Sequence, residues 1–189
     1  MINSNLTDYI YNVNNLRNLT RYQAAPRVSS ESVAEHSFFV AAYVLKLHDY
    51  YDFNLEKALR MALLHDFNEV FVSDVPFPIK SKYKELNKAL EKAEYGVNCE
   101  YIGEDFAEEM KEFNNMTSAE GIIVELGDVL SVVSYSKHEI GLGNSAYMKD
   151  VYNRSIPRYT RILTKAEKYL REGYNTDMII QEISNFMEM

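Results

Sequence analysis

Three apolar stretches of this chain each carry an ionisable side chain that burial penalises, so its fold must bring those groups somewhere they are compensated. His65-Asp66 close the run Ala58-Leu59-Arg60-Met61-Ala62-Leu63-Leu64. His36 stands in Ala34-Glu35-His36-Ser37, ahead of Phe38-Phe39-Val40-Ala41-Ala42-Tyr43-Val44. Asp128 stands in Leu126-Gly127-Asp128-Val129-Leu130. A shared divalent cation would offset the cost of burying all four. The order H…HD…D reads as a two-His, two-Asp metal site drawn from three separate segments.

Those segments have helical, not strand, periodicity. Seven Gly and four Pro in 189 residues leave little punctuation, which favours long helices. Leu6, Ile10, Val13 and Leu16 recur at helical spacing and predict a helix over 6–19, capped by Asn5 or Thr7. Residues 20–32 read as a loop. Ser32 followed by Glu35 is a capping box opening a helix over 33–51. Asn54 caps the next, from 55 through His65-Asp66 toward Phe71. Asp74-Val75-Pro76-Phe77-Pro78 interrupts it. Further helices are expected over 80–102, 104–113, 117–138, 144–172 and 176–187. No stretch shows convincing strand alternation. The expected fold is all-α, a single-domain helical bundle over 1–189.

Composition narrows the function. The net charge is −8 and no basic block occurs, which argues against nucleic-acid or anionic-membrane partners. One cysteine, Cys99, permits no intrachain disulfide and suits a reducing, cytoplasmic setting. Residues 1–8 carry no signal-like segment, and the apolar run over 122–133 is too short to cross a bilayer.

Consecutive residues on a helix point about 100° apart. His65 and Asp66 therefore reach one ion only near a helix end, or with one side chain bent. Mixed imidazole and carboxylate ligation suits one divalent transition-metal cation (Mn, Co, Fe, Ni or Zn) and is less suited to Mg. Taken singly, each residue also has an ordinary reading: a core histidine, a common His-Asp pair, a cleft acid. Glu125, one turn before Asp128, is its rival or its neighbour.

With their flanks, these residues resemble the HD-domain superfamily of metal-dependent phosphohydrolases. Ala34-Glu35-His36-Ser37 is similar to the family's [SA]-E-H-[ST] segment, and His65-Asp66-Phe67-Asn68-Glu69 to its H-D-x-x-E. Asp74-Val75-Pro76-Phe77-Pro78-Ile79-Lys80 is similar to D-[LV]-P-x-P-[VI]-K, and Arg21-Tyr22 and Gly127-Asp128 fit the outer motifs. The match covers about 16–128, with the helices over 144–187 completing the domain, and points to the bacterial 5′-deoxynucleotidase branch. The resemblance implies an HD-type bundle and a metal held by His36, His65, Asp66 and Asp128. It implies catalytic roles for Glu69, near the attacking water, and for Arg21, on the phosphate. Tyr22, Asp74 and Pro76 would surround the sugar. The branch usually carries Trp after the Arg; this chain has Tyr22 and no Trp, which puts its deoxyribose preference in question. The family commonly forms homodimers.

The expected activity is removal of the 5′-phosphate from (deoxy)ribonucleoside monophosphates. Lys80 either adds positive charge at the phosphate or caps its turn. Two other readings compete. One is an HD-type dNTP triphosphohydrolase or guanosine-tetraphosphate-type pyrophosphohydrolase. The other is a non-catalytic module that binds nucleotide or metal.

Overall fold

The computed structural model describes residues 5–73, 75, 77–172 and 176–188. Its helices are α1 (Leu6–Asn15), α2 (Val33–Leu47), α3 (Leu55–Leu64), α4 (Glu69–Val72), α5 (Phe77–Lys82), α6 (Lys84–Tyr101), α7 (Glu104–Asn115), α8 (Ala119–Gly141), α9 (Ser145–Tyr169) and α10 (Thr176–Met187). The fold is all-α, as the periodicity predicts. Strand structure among the described residues is confined to an antiparallel pair, Tyr51–Asp52 with Arg171–Glu172, and an isolated bridge, Thr20 to Ser32. Two-residue strands are too short to show alternation in the sequence.

Local chemistry accounts for the helix starts. Asn5 caps α1 by accepting from the Asp8 amide at 2.9 Å. The Ser32–Glu35 capping box forms in full: the Glu35 amide donates to Ser32 Oγ (3.2 Å) and the Ser32 amide to Glu35 Oε2 (2.7 Å). Asn54 caps α3 by accepting from the Lys57 amide at 3.1 Å.

Three expected helices end or break early. The helix expected over 6–19 gives way at Leu16–Asn18 to a 3-10 turn. The second stops at Leu47, and the chain turns through His48 to Tyr50. The third stops at Leu64. There the ladder tightens to three-residue bonds, Phe67 N to Leu64 O (3.0 Å) and Glu69 N to Asp66 O (3.1 Å), before α4 begins. The helix expected over 80–102 starts earlier, at Phe77, and is split at Tyr83. Pro78 does not prevent that start, because a first-turn residue has no intrahelical acceptor for its N–H to lose.

α8 is the axis of the bundle and packs against α2, α3, α7 and α9. Its Ile122, Ile123, Val124 and Val129 are fully buried and join Val40, Val44, Ala58 and Met61 in one core. At Gly127 an added Cβ would stand 3.2 Å from both Val40 Cγ1 and the Val40 carbonyl oxygen. This close approach of α8 to α2 sets Asp128 beside His36. Among the described residues, no helix is long and apolar enough to cross a membrane.

The 20–32 loop is anchored at both ends. At its neck Arg21 N donates to Glu31 O and Val33 N to Leu19 O, both at 2.9 Å. At its far side the buried Glu139 of α8 accepts from Val28 N (2.8 Å), Ser29 N (2.6 Å) and Ser29 Oγ (2.7 Å).

Candidate metal centre

His36 lies on α2, one turn inside the capping box. His65 caps the C-terminus of α3, Asp66 follows in the turn, and Asp128 lies midway along α8. His65 and Asp66 stand in the turn that follows Leu64, and both face the same centre. The two imidazole Nε2 atoms are 3.3 Å apart. Asp66 Oδ2 lies 3.3 Å from His65 Nε2 and 3.8 Å from His36 Nε2, and Asp128 Oδ1 lies 3.1 Å from His36 Nε2. Ligand atoms of His36, His65 and Asp66 all fall within 4.8 Å of one another.

The far side of each ring is also engaged. His65 Nδ1 donates to the Ala62 carbonyl at 2.9 Å, so in the neutral ring the Nε2 lone pair faces the centre. Ser131 Oγ lies 3.0 Å from His36 Nδ1. Both contacts orient Nε2 inward, as metal-binding imidazoles require.

Burial and charge act on these groups in opposite senses. Burial, then the Arg21 charge, lowers His36 to about 4, so that ring is neutral at pH 7. Burial also lowers His65, but Asp66 and Asp128 outweigh it and raise the group to about 9. Burial would raise Asp128; Arg158 and the two imidazoles hold it well below the ordinary carboxylate range. The two Nε2 atoms and a carboxylate oxygen of Asp66, each residue held by a further hydrogen bond or ion pair, form a donor set that fits a divalent transition metal, while Asp128 falls outside that group of three and meets it through His36.

A cavity of about 380 Å³ opens beside the centre. His65, Asp66, Glu69 and Lys80 line it, together with Glu91, Glu94 and Asn98 of α6 and Phe113 and Asn114 of α7. Glu69 is buried at the start of α4. Lys80 Nζ lies 3.4 Å from Glu94 Oε1. Arg21 reaches Asp66 from outside this lining, with Nη1 donating to Oδ2 at 3.0 Å and Nε 3.6 Å from Glu31. Tyr22 does not line the cavity. It holds a left-handed backbone (φ 55°) and stacks on Tyr135, ring centroids 5.2 Å apart. Asp74 and Pro76 lie outside the described residues.

Arg158 of α9 is a participant that no motif announces. Its Nη2 donates to Asp128 Oδ2 at 2.6 Å and lies 3.0 Å from Glu125 Oε1. An arginine on a charged helix has no distinguishing pattern in sequence. Ser131 could have been found, because it lies three residues after Asp128 and so on an adjoining face.

A family model described as HD domain matches residues 13–177. A 5′-deoxynucleotidase of Vibrio vulnificus is 31% identical over 143 residues, covering 68% of this chain and 73% of that protein. Among solved structures, an HD-domain phosphohydrolase from Listeria innocua superposes with a TM-score of 0.71 at 20% identity, covering 96% of this chain and 89% of that one. The cyanophage S-2L HD phosphohydrolase, bound to dA and one catalytic Zn2+ ion, gives a TM-score of 0.52 at 16% identity, covering 84% of this chain and 96% of that one. The chain belongs to the HD-domain family and, with its 5′-deoxynucleotidase relatives, to that family's phosphohydrolases.

Proposed function

We propose that the chain is a metal-dependent 5′-nucleotidase that releases phosphate from deoxyribonucleoside monophosphates, with His36, His65, Asp66 and Asp128 holding one Mn, Co, Zn, Ni or Fe dication. The observation that carries this reading is the convergence of ligand atoms from His36, His65 and Asp66 within 4.8 Å, beside a cavity of about 380 Å³. When bound, such an ion supplies Lewis acidity and a water of lowered pKa.

The chain's own groups do the rest. Arg21 presents a planar fork suited to two phosphate oxygens, and its contact with Asp66 puts that fork at the edge of the centre. Glu69, buried in the cavity wall, accepts the proton of the water that attacks phosphorus. The P–O5′ bond breaks, and the nucleoside oxygen leaves and is protonated. Lys80 adds positive charge on the same wall. On the resemblance, Tyr22, Asp74 and Pro76 bear on the sugar, although Tyr22 stands outside the cavity lining.

The cavity's charges favour a monophosphate. Beyond the centre its wall carries Glu91 and Glu94, and Lys80 is already shared with Glu94. A second or third phosphate would meet those carboxylates. The name of the Vibrio vulnificus relative supports the deoxynucleotide preference.

The test is a product assay on matched deoxy- and ribonucleoside monophosphates, dNTPs and guanosine tetraphosphate, with Mn, Co, Zn or Mg. Inorganic phosphate plus free nucleoside is the expected outcome. Release of pyrophosphate or triphosphate sinks the proposal, as does metal binding without turnover of any phosphate ester.

A further inference from the structure

α8 carries a second carboxylate beside Asp128, and the same arginine holds both. Glu125 and Asp128 are three residues apart and so are neighbours on one helical face. Both are largely withdrawn from water, their side chains 9% and 14% exposed. Glu125 has one methylene more of reach. Nothing in their chemistry makes one a metal ligand and the other a bystander.

The difference between them lies on α9. Arg158 Nη2 donates to Asp128 Oδ2 at 2.6 Å, and its Nε donates to Glu125 Oε1 at 3.2 Å. Arg161 adds a weaker contact to the same Glu125 oxygen at 3.7 Å. Asp128 is left with Oδ1, the oxygen that faces His36 Nε2 at 3.1 Å. A guanidinium never gives up its proton in a protein, so it competes for carboxylate oxygens without becoming a ligand.

We propose that Arg158 selects the carboxylate oxygens of the metal centre: it holds Glu125 out and restricts Asp128 to a single oxygen, which keeps coordination positions open for water and phosphate. This rests on the reading of His36, His65, Asp66 and Asp128 as the ligand set. An open position separates a catalytic metal site from a closed structural one. Arg158 is thus a positioning residue that acts through Glu125 and Asp128. Its removal leaves Asp128 without its guanidinium and Glu125 with only the weaker contact to Arg161, and a bound dication is the nearest replacement. The expected signature is tighter metal binding with slower turnover, the reverse of simple damage to a ligand.

Wild type, R158M, R158K and E125Q/R158M are stripped of metal and titrated with Co2+ alone, followed by calorimetry and visible absorption. The absorption bands of Co2+ weaken as coordination number rises. Steady-state kinetics on a deoxyribonucleoside monophosphate run in parallel, and melting of the metal-free proteins checks folding. R158M is expected to bind Co2+ about tenfold more tightly, with weaker bands. Its kcat should fall about tenfold at little-changed KM. E125Q/R158M should lose the part of the gain that Glu125 supplies and keep the part that the freed Oδ2 of Asp128 supplies. R158K keeps a charge but offers a compact ammonium on a shorter reach in place of the planar fork, so it shows the same changes at smaller amplitude and carries the test if R158M does not fold. Wild-type affinity and spectrum in R158M, or in R158K where R158M is unfolded, overturn the inference while the metal centre stands. So does a rise that E125Q leaves wholly unchanged. A wild type that binds no Co2+ overturns the metal-centre reading itself, and the inference with it.

Discussion

Gly127 and Val40 meet backbone to backbone: a Cβ at Gly127 would lie 3.2 Å from the Val40 carbonyl oxygen. A backbone oxygen within α2 cannot swing aside as a side chain can. Gly127→Ala must therefore push α8 from α2 by a few tenths of an ångström. We expect a loss of about 1–3 kcal/mol in stability, the usual range for overpacking a core. The same shift separates Asp128 from His36, so metal affinity should fall with it. Thermal melting of the metal-free protein and a Co2+ titration read the two effects. Unchanged affinity in a destabilised Gly127→Ala would show that the metal centre does not depend on this helix contact.

Metal uptake should release a proton. In the metal-free protein His65 is raised to about 9, since Asp66 and Asp128 outweigh the lowering by burial. Its ordinary value is 6.5, so the ion-pair stabilisation is fully present below that pH and is lost as pH rises through about 9. A cation must displace that proton to reach Nε2. His36, lowered to about 4, has none to give at neutral pH. Metal affinity should therefore climb with pH up to about 9 and then level off. About one proton per ion should appear at pH 7.5 in weakly buffered solution. A pH-stat record with no proton release would remove His65 from the ligand set.

The parts of this architecture written in local chemistry are legible in the chain. Ser32 with Glu35 announces the start of α2, and Asn54 that of α3. Ionisable groups inside apolar runs single out His36, His65-Asp66 and Asp128 without any knowledge of how the helices pack. What escapes is non-local. The early stop at Leu64 results from the turn that lets His65 and Asp66 share a centre, which periodicity over 55–71 does not reveal. Arg158 meets Asp128 across 30 residues of chain, and Glu139 meets Ser29 across 110. Neither pairing leaves a trace in local sequence.

Glu69→Gln removes a proton acceptor while keeping the size of a side chain buried in the cavity wall. Turnover should drop about 10²–10⁴-fold, the usual contribution of a general base. Metal content and nucleotide affinity should stay close to wild type, because Glu69 is in neither the proposed ligand set nor the proposed phosphate clamp. Steady-state kinetics with metal analysis separates these quantities. A kcat within a factor of about two of wild type would take Glu69 out of the chemistry.

Glu139→Gln tests the anchor of the loop that carries Arg21. Burial by itself would raise this carboxyl; Asn144, Ser29 and the Val28 amide outweigh it and hold it at about 2, against an ordinary 4.5. Because the folded value is depressed, the stabilisation is present above 4.5 and is lost as pH falls toward 2. The glutamine keeps the shape but loses the charge, and its NH₂ meets amide donors. Hydrogen bonds to a charged group are worth about 1.5–3 kcal/mol, so stability at neutral pH should fall by about that much. The difference between the two proteins should shrink as the wild type is titrated from pH 4.5 to 2. None of the four proposed ligands lies in the 20–32 loop, so Co2+ affinity should hold. Arg21 loses its fixed approach to Asp66, so KM for the nucleotide should rise. A variant with wild-type melting at pH 7 and unaltered KM would show that the hydrogen bonds to Glu139 do not secure the loop proposed to bring Arg21 to the phosphate.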